Sequence, residues 1–243
     1  MMSAEEVEAI RRYVADGGCV YASKYTSLQR SDGVKPVDFM LGDVFGVSYV
    51  GETPESFTFL APVKDKEEFF DTYTESWPMG IAESQIRVQV NPGAEVWATL
   101  VLPYSDPSDY EHFASIHSNP PGRWTGEPAM VMNRYGKGKA IYCAAPIETP
   151  RMFGDIFVNL LRTLCSDFAF EASAPPCIEV TAFDQSEHHR IIVCLLNFQK
   201  DLPNVPVNGI RVSVRMDGRA VQRIFVAPQG EELEFTEHEG RVC

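Results

Sequence analysis

Residues 3–22 read SAEEVEAIRRYVADGGCVYA, and this stretch decides the fold class. Ser3 with Glu6 makes a capping box, and Val7, Ile10 and Val14 recur at helical spacing, so a helix is expected over residues 3–16. Gly17-Gly18 ends it. Cys19-Val20-Tyr21-Ala22 follows as a short, wholly apolar run, the pattern of a parallel strand covered on both faces. A helix leading into such a strand is the second half of a βαβ unit. A right-handed crossover needs a strand before the helix as well. Met1 and Met2 alone precede Ser3, so the sequence reads as an α/β fold entered part-way, without its first strand.

Further along, residues 25–46 carry turn residues (Ser31-Asp32-Gly33, Lys35-Pro36) and then Phe39, Leu41, Val44 and Phe45, which together predict a loop and a helical turn. Ile86, Val88 and Val90 alternate with Arg87 and Gln89, and Asn91-Pro92-Gly93 supplies a turn before the apolar residues 96–102. The expectation is a hairpin of these two runs with one wet face. Residues 103–128 are polar, aromatic and rich in Pro, and read as a long surface loop carrying Tyr104, Tyr110, His112, His117 and Trp124. Residues 129–133 and 139–144 flank Tyr135-Gly136-Lys137-Gly138 and predict a second hairpin. A helix over 151–165 follows, with Phe153, Ile156, Phe157, Leu160, Leu161 and Leu164 on one stripe.

Ala172-Ser173-Ala174-Pro175-Pro176 has the composition of a linker, and nothing beyond it is helical in pattern. Strands are expected over 178–183, 190–198, 210–216, 220–227 and 233–236, with Arg241-Val242-Cys243 opening another. The domains expected are therefore an α/β domain over 1–168 and a small antiparallel β-sandwich over 169–243.

The 34 acidic and 21 basic residues leave a formal charge of −13. No cluster of Lys and Arg gives the footprint that DNA, RNA or an anionic membrane requires. Acids stand at Glu5 and Glu6, where a secretory signal needs a basic region, and no segment is apolar for long enough to span a bilayer. The expectation is a soluble, cytoplasmic chain. Six cysteines (Cys19, Cys143, Cys165, Cys177, Cys194, Cys243) are scattered singly, mostly in apolar runs, and read as buried reduced thiols rather than disulfides or a metal site.

No chemistry-bearing motif fits the sequence. A nucleophile elbow places Ser or Cys on a turn from strand into helix. Cys19 follows a helix and enters a strand, the reverse order, and Ser23 and Ser27 lack a Gly-x-Ser-x-Gly setting. Gly136-Lys137-Gly138-Lys139 is followed by a strand, where a phosphate loop opens a helix. His188 and His189, neighbours in a turn, point to opposite sides and cannot chelate one metal unaided. Asp106, Asp109 and Glu111 share the long loop, but glycosidic hydrolysis needs two carboxylates facing each other across the bond, a geometry that spacing within a loop does not establish.

Residues 3–18, Thr26-Ser27-Leu28, Asp38-Phe39, residues 41–47 and residues 133–142 nevertheless resemble the β-galactosidase trimerisation domain over most of 1–168. The resemblance implies a flavodoxin-like, three-layer domain related to class I glutamine amidotransferases, without their nucleophile. In that family it follows a catalytic (β/α)₈ barrel and holds subunits together as trimers. A small C-terminal β domain commonly follows; Pro175-Pro176-Cys177-Ile178-Glu179-Val180 and Leu195-Leu196-Asn197-Phe198 are similar to its opening strands. The barrel carries the family's acid/base and nucleophile, so no catalytic residue, cofactor or metal ligand is carried over. The implied function is a non-catalytic oligomerisation and accessory region of a glycoside hydrolase, its partners being further copies or a catalytic barrel. Two alternatives stand beside it. One is a carbohydrate-binding module, with Tyr104, Tyr110, His117 and Trp124 as sugar or subunit contacts. The other is a stand-alone hydrolase, for which the sequence offers no nucleophile.

Overall fold

Ser3 caps the first helix, α1 (Ala4–Ala15): its Oγ accepts from the Glu6 N–H and the Glu6 carboxylate accepts from the Ser3 N–H, closing the capping box. Val7 and Val14 face inward, and after Gly17-Gly18 the chain enters β1 (Cys19–Ser23). The computed structural model describes residues 2–29, 37–106, 108–115 and 118–243. The turn motifs Ser31-Asp32-Gly33 and Lys35-Pro36 lie outside the described residues. The chain divides into two compact units, Met1–Ser166 and Asp167–Cys243.

The first unit is mixed α/β. After the short helix α2 (Gly42–Phe45) come β2 (Val47–Glu52), β3 (Thr58–Pro62), β4 (Met79–Ile81), β5 (Ile86–Val90), β6 (Glu95–Pro103), β7 (Pro121–Tyr135) and β8 (Gly138–Cys143), then α3 (Gly154–Leu164). Six strands form one sheet in the order β1-β8-β7-β6-β3-β4. β1 runs parallel to β8, whereas the β8–β7, β7–β6, β6–β3 and β3–β4 pairs are antiparallel. Adjacent residues of a strand point to opposite faces. On one face Tyr21 meets Phe157 of α3 edge-on at 5.0 Å, and on the other Tyr142 stacks on Phe45 of α2 at 5.7 Å. Asn133 fixes α2 there, donating from Nδ2 to the carbonyls of Asp43 (3.0 Å) and Val44 (2.9 Å).

The β7–β8 hairpin and the α3 helix stand where the sequence puts them. Three expectations are corrected. Ile86–Val90 does not pair with residues 96–102: β5 pairs with β2, and β6 lies between β3 and β7. Alternation marks a wet face but does not name the partner strand, and the turn at Asn91, whose N–H donates to Gly46 O, crosses from the β2–β5 ribbon to the large sheet. The loop expected over 103–128 ends early, because β7 already begins at Pro121. Pro121, Gly122, Gly126 and Pro128 hide this strand, which runs beside β6 with several register shifts. Gly122 is required there, since a Cβ would collide with the Tyr104 backbone. Thirdly, the cysteines are not generally buried: Cys143 is, Cys19 and Cys177 are half-buried, and Cys165, Cys194 and Cys243 are exposed.

The second unit holds several small antiparallel sheets. β9 (Phe170–Ser173), which takes up the start of the expected linker, is followed by β10 (Ile178–Gln185), β11 (Arg190–Asn197) and β12 (Arg211–Arg215). β13 (Ile224–Val226), β14 (Glu231–Leu233), β15 (Glu237–His238) and β16 (Arg241–Val242) complete it. Four strands order as β15-β16-β12-β9, and β10–β11 and β13–β14 are two-stranded ribbons. Val242 is the one buried residue of this unit. Arg241 ties its strands together, donating from Nε to Ser213 Oγ (2.8 Å) and from Nη1 to Phe168 O (2.9 Å).

Candidate functional site

Two places in the first unit gather side chains able to bind or react. The first is aromatic. Phe59 of β3 pairs with Val101 of β6, and Val101 with Trp124 of β7, so the three share a face of the sheet. Phe59, Ala61 and Val101 form a small buried cluster separate from the main core. Beside it, Phe57 meets Phe59 edge-on at 5.1 Å. Trp124 remains 49% exposed although its indole Nε1 is spent on Glu75 O at 3.0 Å. Glu75 belongs to a tight turn in which Thr74 and Trp77 exchange backbone hydrogen bonds of 3.1 Å, and Trp77 is 72% exposed.

The loop before β7 holds the remaining residues singled out from the sequence. The Tyr104 ring lies 5.5 Å from that of His112, whose Nδ1 is 2.8 Å from Asp109 Oδ2. Tyr110 is 94% exposed and touches little. His117 lies outside the described residues. Trp124 stands on a strand, not in this loop, and turns to the 74–77 turn. Arg123, its neighbour on β7, reaches Asp106 at 2.8 Å and Glu55 at 3.2 Å. Glu55 Oε2 and Arg123 Nε are buried there with no hydrogen-bond partner among the described residues. Hydrogen bonds from Ser108 hold the Asp106 carboxyl below its usual range, and the Glu111 N–H and His112 do the same for Asp109.

The second place is the carboxyl end of the parallel pair β1–β8, where open α/β sheets commonly bind ligands. Glu148 accepts from Tyr21 Oη (2.9 Å) and Ser23 Oγ (2.6 Å). Lys24, in the left-handed region at φ 46°, pairs with Glu83 at 2.6 Å. Glu52 accepts from Tyr25 Oη and Ser84 Oγ. Burial alone would raise the Glu52 carboxyl, but the Ser84 and Tyr25 hydrogen bonds and the charge of Lys24 outweigh it and hold it low. Burial pushes the Tyr21 hydroxyl well up, and lifts the Cys143 thiol to about 12. Each polar group here is already engaged by another, and Ser23 bonds to a carboxylate rather than to the imidazole that acyl transfer employs. Among the described residues no three His, Cys, Asp or Glu side chains are grouped to hold a metal ion. No helix of the described residues is long and apolar enough to cross a membrane.

Sequence reasoning missed Phe57, Trp77, and the Glu55–Arg123–Asp106 group. Trp77 precedes a proline among polar residues, and a lone aromatic in such a context gives no signal of a shared surface.

No protein-family model and no curated protein matches the sequence. Solved structures do match. An α-L-fucosidase isoenzyme 2 from Paenibacillus thiaminolyticus superposes at TM-score 0.74 with 20% identity, over 100% of this chain and 37% of that one. A β-galactosidase from Bacillus circulans sp. alkalophilus gives 0.62 and 15%, over 99% of this chain and 30% of that one. A cold-adapted β-galactosidase from Rahnella sp. R3 gives 0.60 and 19%, over 87% and 30%. This chain shares its fold with a part of each. It spans about a third of the length of these glycoside hydrolases, which share it over both of its units or nearly so.

Proposed function

We propose that this chain is a non-catalytic assembly and accessory region of a glycoside hydrolase, working in the cytoplasm beside a catalytic barrel. The observation that carries the reading is the coverage: the fold accounts for all of this chain but for 37% of the α-L-fucosidase and 30% of the β-galactosidases. In this reading residues 1–168 are a flavodoxin-like trimerisation domain, supported by the helix-to-parallel-strand passage from α1 to β1 and by helices against both faces of the sheet. Residues 169–243 are a small β-sandwich, supported by their all-antiparallel pairing.

The carboxylates add support. A glycosidase acid must hold its proton near neutral pH, which requires a raised pKa. Asp106 and Asp109 are shifted the other way. That direction disfavours either as the acid, in keeping with a chain that holds subunits or domains together.

Light scattering on a sizing column across a dilution series tests this. The expected result is a mass near three times the 27.2 kDa of the chain, stable on dilution. A monomer at every concentration would remove the trimerisation reading.

A further inference from the structure

Between residues 51 and 150 the exposed large apolar side chains are Phe57, Trp77, Tyr104, Tyr110, Phe113 and Trp124, and every one is aromatic. No exposed Leu, Ile, Val or Met lies among them in the described residues. Exposed indole rings offer flat apolar faces that suit a flat ligand.

One of these rings is held in place, and so is the turn that carries a second. Trp124 is anchored by its cross-strand position beside Val101, and its single polar atom is tied back to Glu75 O, so the exposed part of its side chain is aromatic carbon. Trp77 is pinned through its own backbone, which both donates to and accepts from Thr74. The Trp124–Glu75 bond joins strand and turn, setting the turn that carries Trp77 against the Trp124 side chain. The Trp124 ring is therefore ordered before any ligand arrives. The π-face of an indole is electron-rich, and the C–H groups along one side of a pyranose are its complement. The Thr74 and Ser76 hydroxyls, 3.4 Å apart in the same turn, can meet ring hydroxyls. At a formal charge of −13 the chain repels anions, which disfavours an acidic saccharide.

We propose that Trp77 and Trp124 form a stacking platform for the ring of a neutral saccharide. The proposal does not rest on the assembly reading above.

Tryptophan fluorescence tests it on the full chain. Of the three tryptophans, Trp97 is buried against Phe69 at 4.8 Å and serves as a silent reference, so any response comes from Trp77 and Trp124. Lactose and methyl α-L-fucopyranoside are titrated separately. The expected result is a saturable change with at least one sugar, weakened about tenfold or more in Trp77→Ala and in Trp124→Ala, and partly kept in Trp124→Phe. Circular dichroism checks that each variant folds; should Trp124→Ala unfold, the largely exposed Trp77 carries the test through Trp77→Ala. No saturable change with either sugar, or affinity unaltered in Trp77→Ala, overturns the proposal. So does a pair of variants that alter only the mass by light scattering, since that assigns the rings to subunit contact. A trimer that binds no sugar leaves the assembly reading standing, and a monomer that binds sugar leaves this one.

Discussion

Cys143 is fully buried on β8 beside Tyr21, and burial lifts its thiol to about 12. A raised thiol pKa leaves the neutral form, which is a poor nucleophile, in place well above neutral pH. At pH 8 an alkylating reagent is therefore expected to modify the exposed Cys165, Cys194 and Cys243 within minutes and to leave Cys143 untouched until denaturant is added. Intact-mass and peptide mass spectrometry would read this directly, and early modification of Cys143 would show that its strand opens. The sequence separates these thiols poorly. Cys143 and Cys194 both lie in apolar runs, but Cys143 is in a sheet covered on both faces and Cys194 on an open two-stranded ribbon. Apolar neighbours report what a strand could bury, not whether anything arrives to cover it.

At the scale of elements, α1, the β7–β8 hairpin and α3 were legible because each carries its signal locally: a capping box, a Gly-bearing turn, a periodic stripe. Partner strands were not, as β5 shows by choosing β2, because pairing is settled by the path of the chain and not by the pattern of one strand. The turn into β8 has a further requirement that local pattern hides. Gly138 stands where the end of α1 meets the sheet, and a Cβ on it would collide with the carbonyls of Gly18 and Val14. Gly51 on β2 has open space around its own Cβ direction. Gly138→Ala is expected to destabilise the first unit by about 2 kcal/mol or more, and Gly51→Ala to change it by less than about 0.5 kcal/mol. Urea titrations of the two variants give the comparison, and equal losses would contradict the close approach of α1 to β8. The aromatic surface was legible in the same partial way: Trp124 was found, but its partner Trp77 comes from a different turn, and that juxtaposition exists only in three dimensions.

For the molecule as a whole, the two units are unequally built. The first holds a main core that includes Tyr142, Phe45, Leu160 and Ile141, all fully buried. The second buries Val242 and leaves Phe183, Leu196, Phe198 and Leu202 exposed. Burial of apolar area is the main favourable contribution to folding, so the second unit should open first. All three tryptophans lie in the first unit, and their fluorescence follows it alone, while far-ultraviolet circular dichroism follows both. In urea the dichroism should begin to fall at lower concentration than the fluorescence changes; coincident curves would show that the units unfold together.

The single parallel pair of the large sheet has a consequence for time rather than for stability. β7 and β8 meet through a tight turn, so that pair can close early, as neighbours in sequence do. β1 meets β8 across roughly 120 intervening residues, in the register that sets Cys19 beside Lys139. Closing so large a loop costs entropy before any contact returns it. A chain folding along this route assembles its antiparallel strands first and waits with α1 and β1 undocked. The stretch that reveals the fold to a reader is then the stretch the folding chain places last.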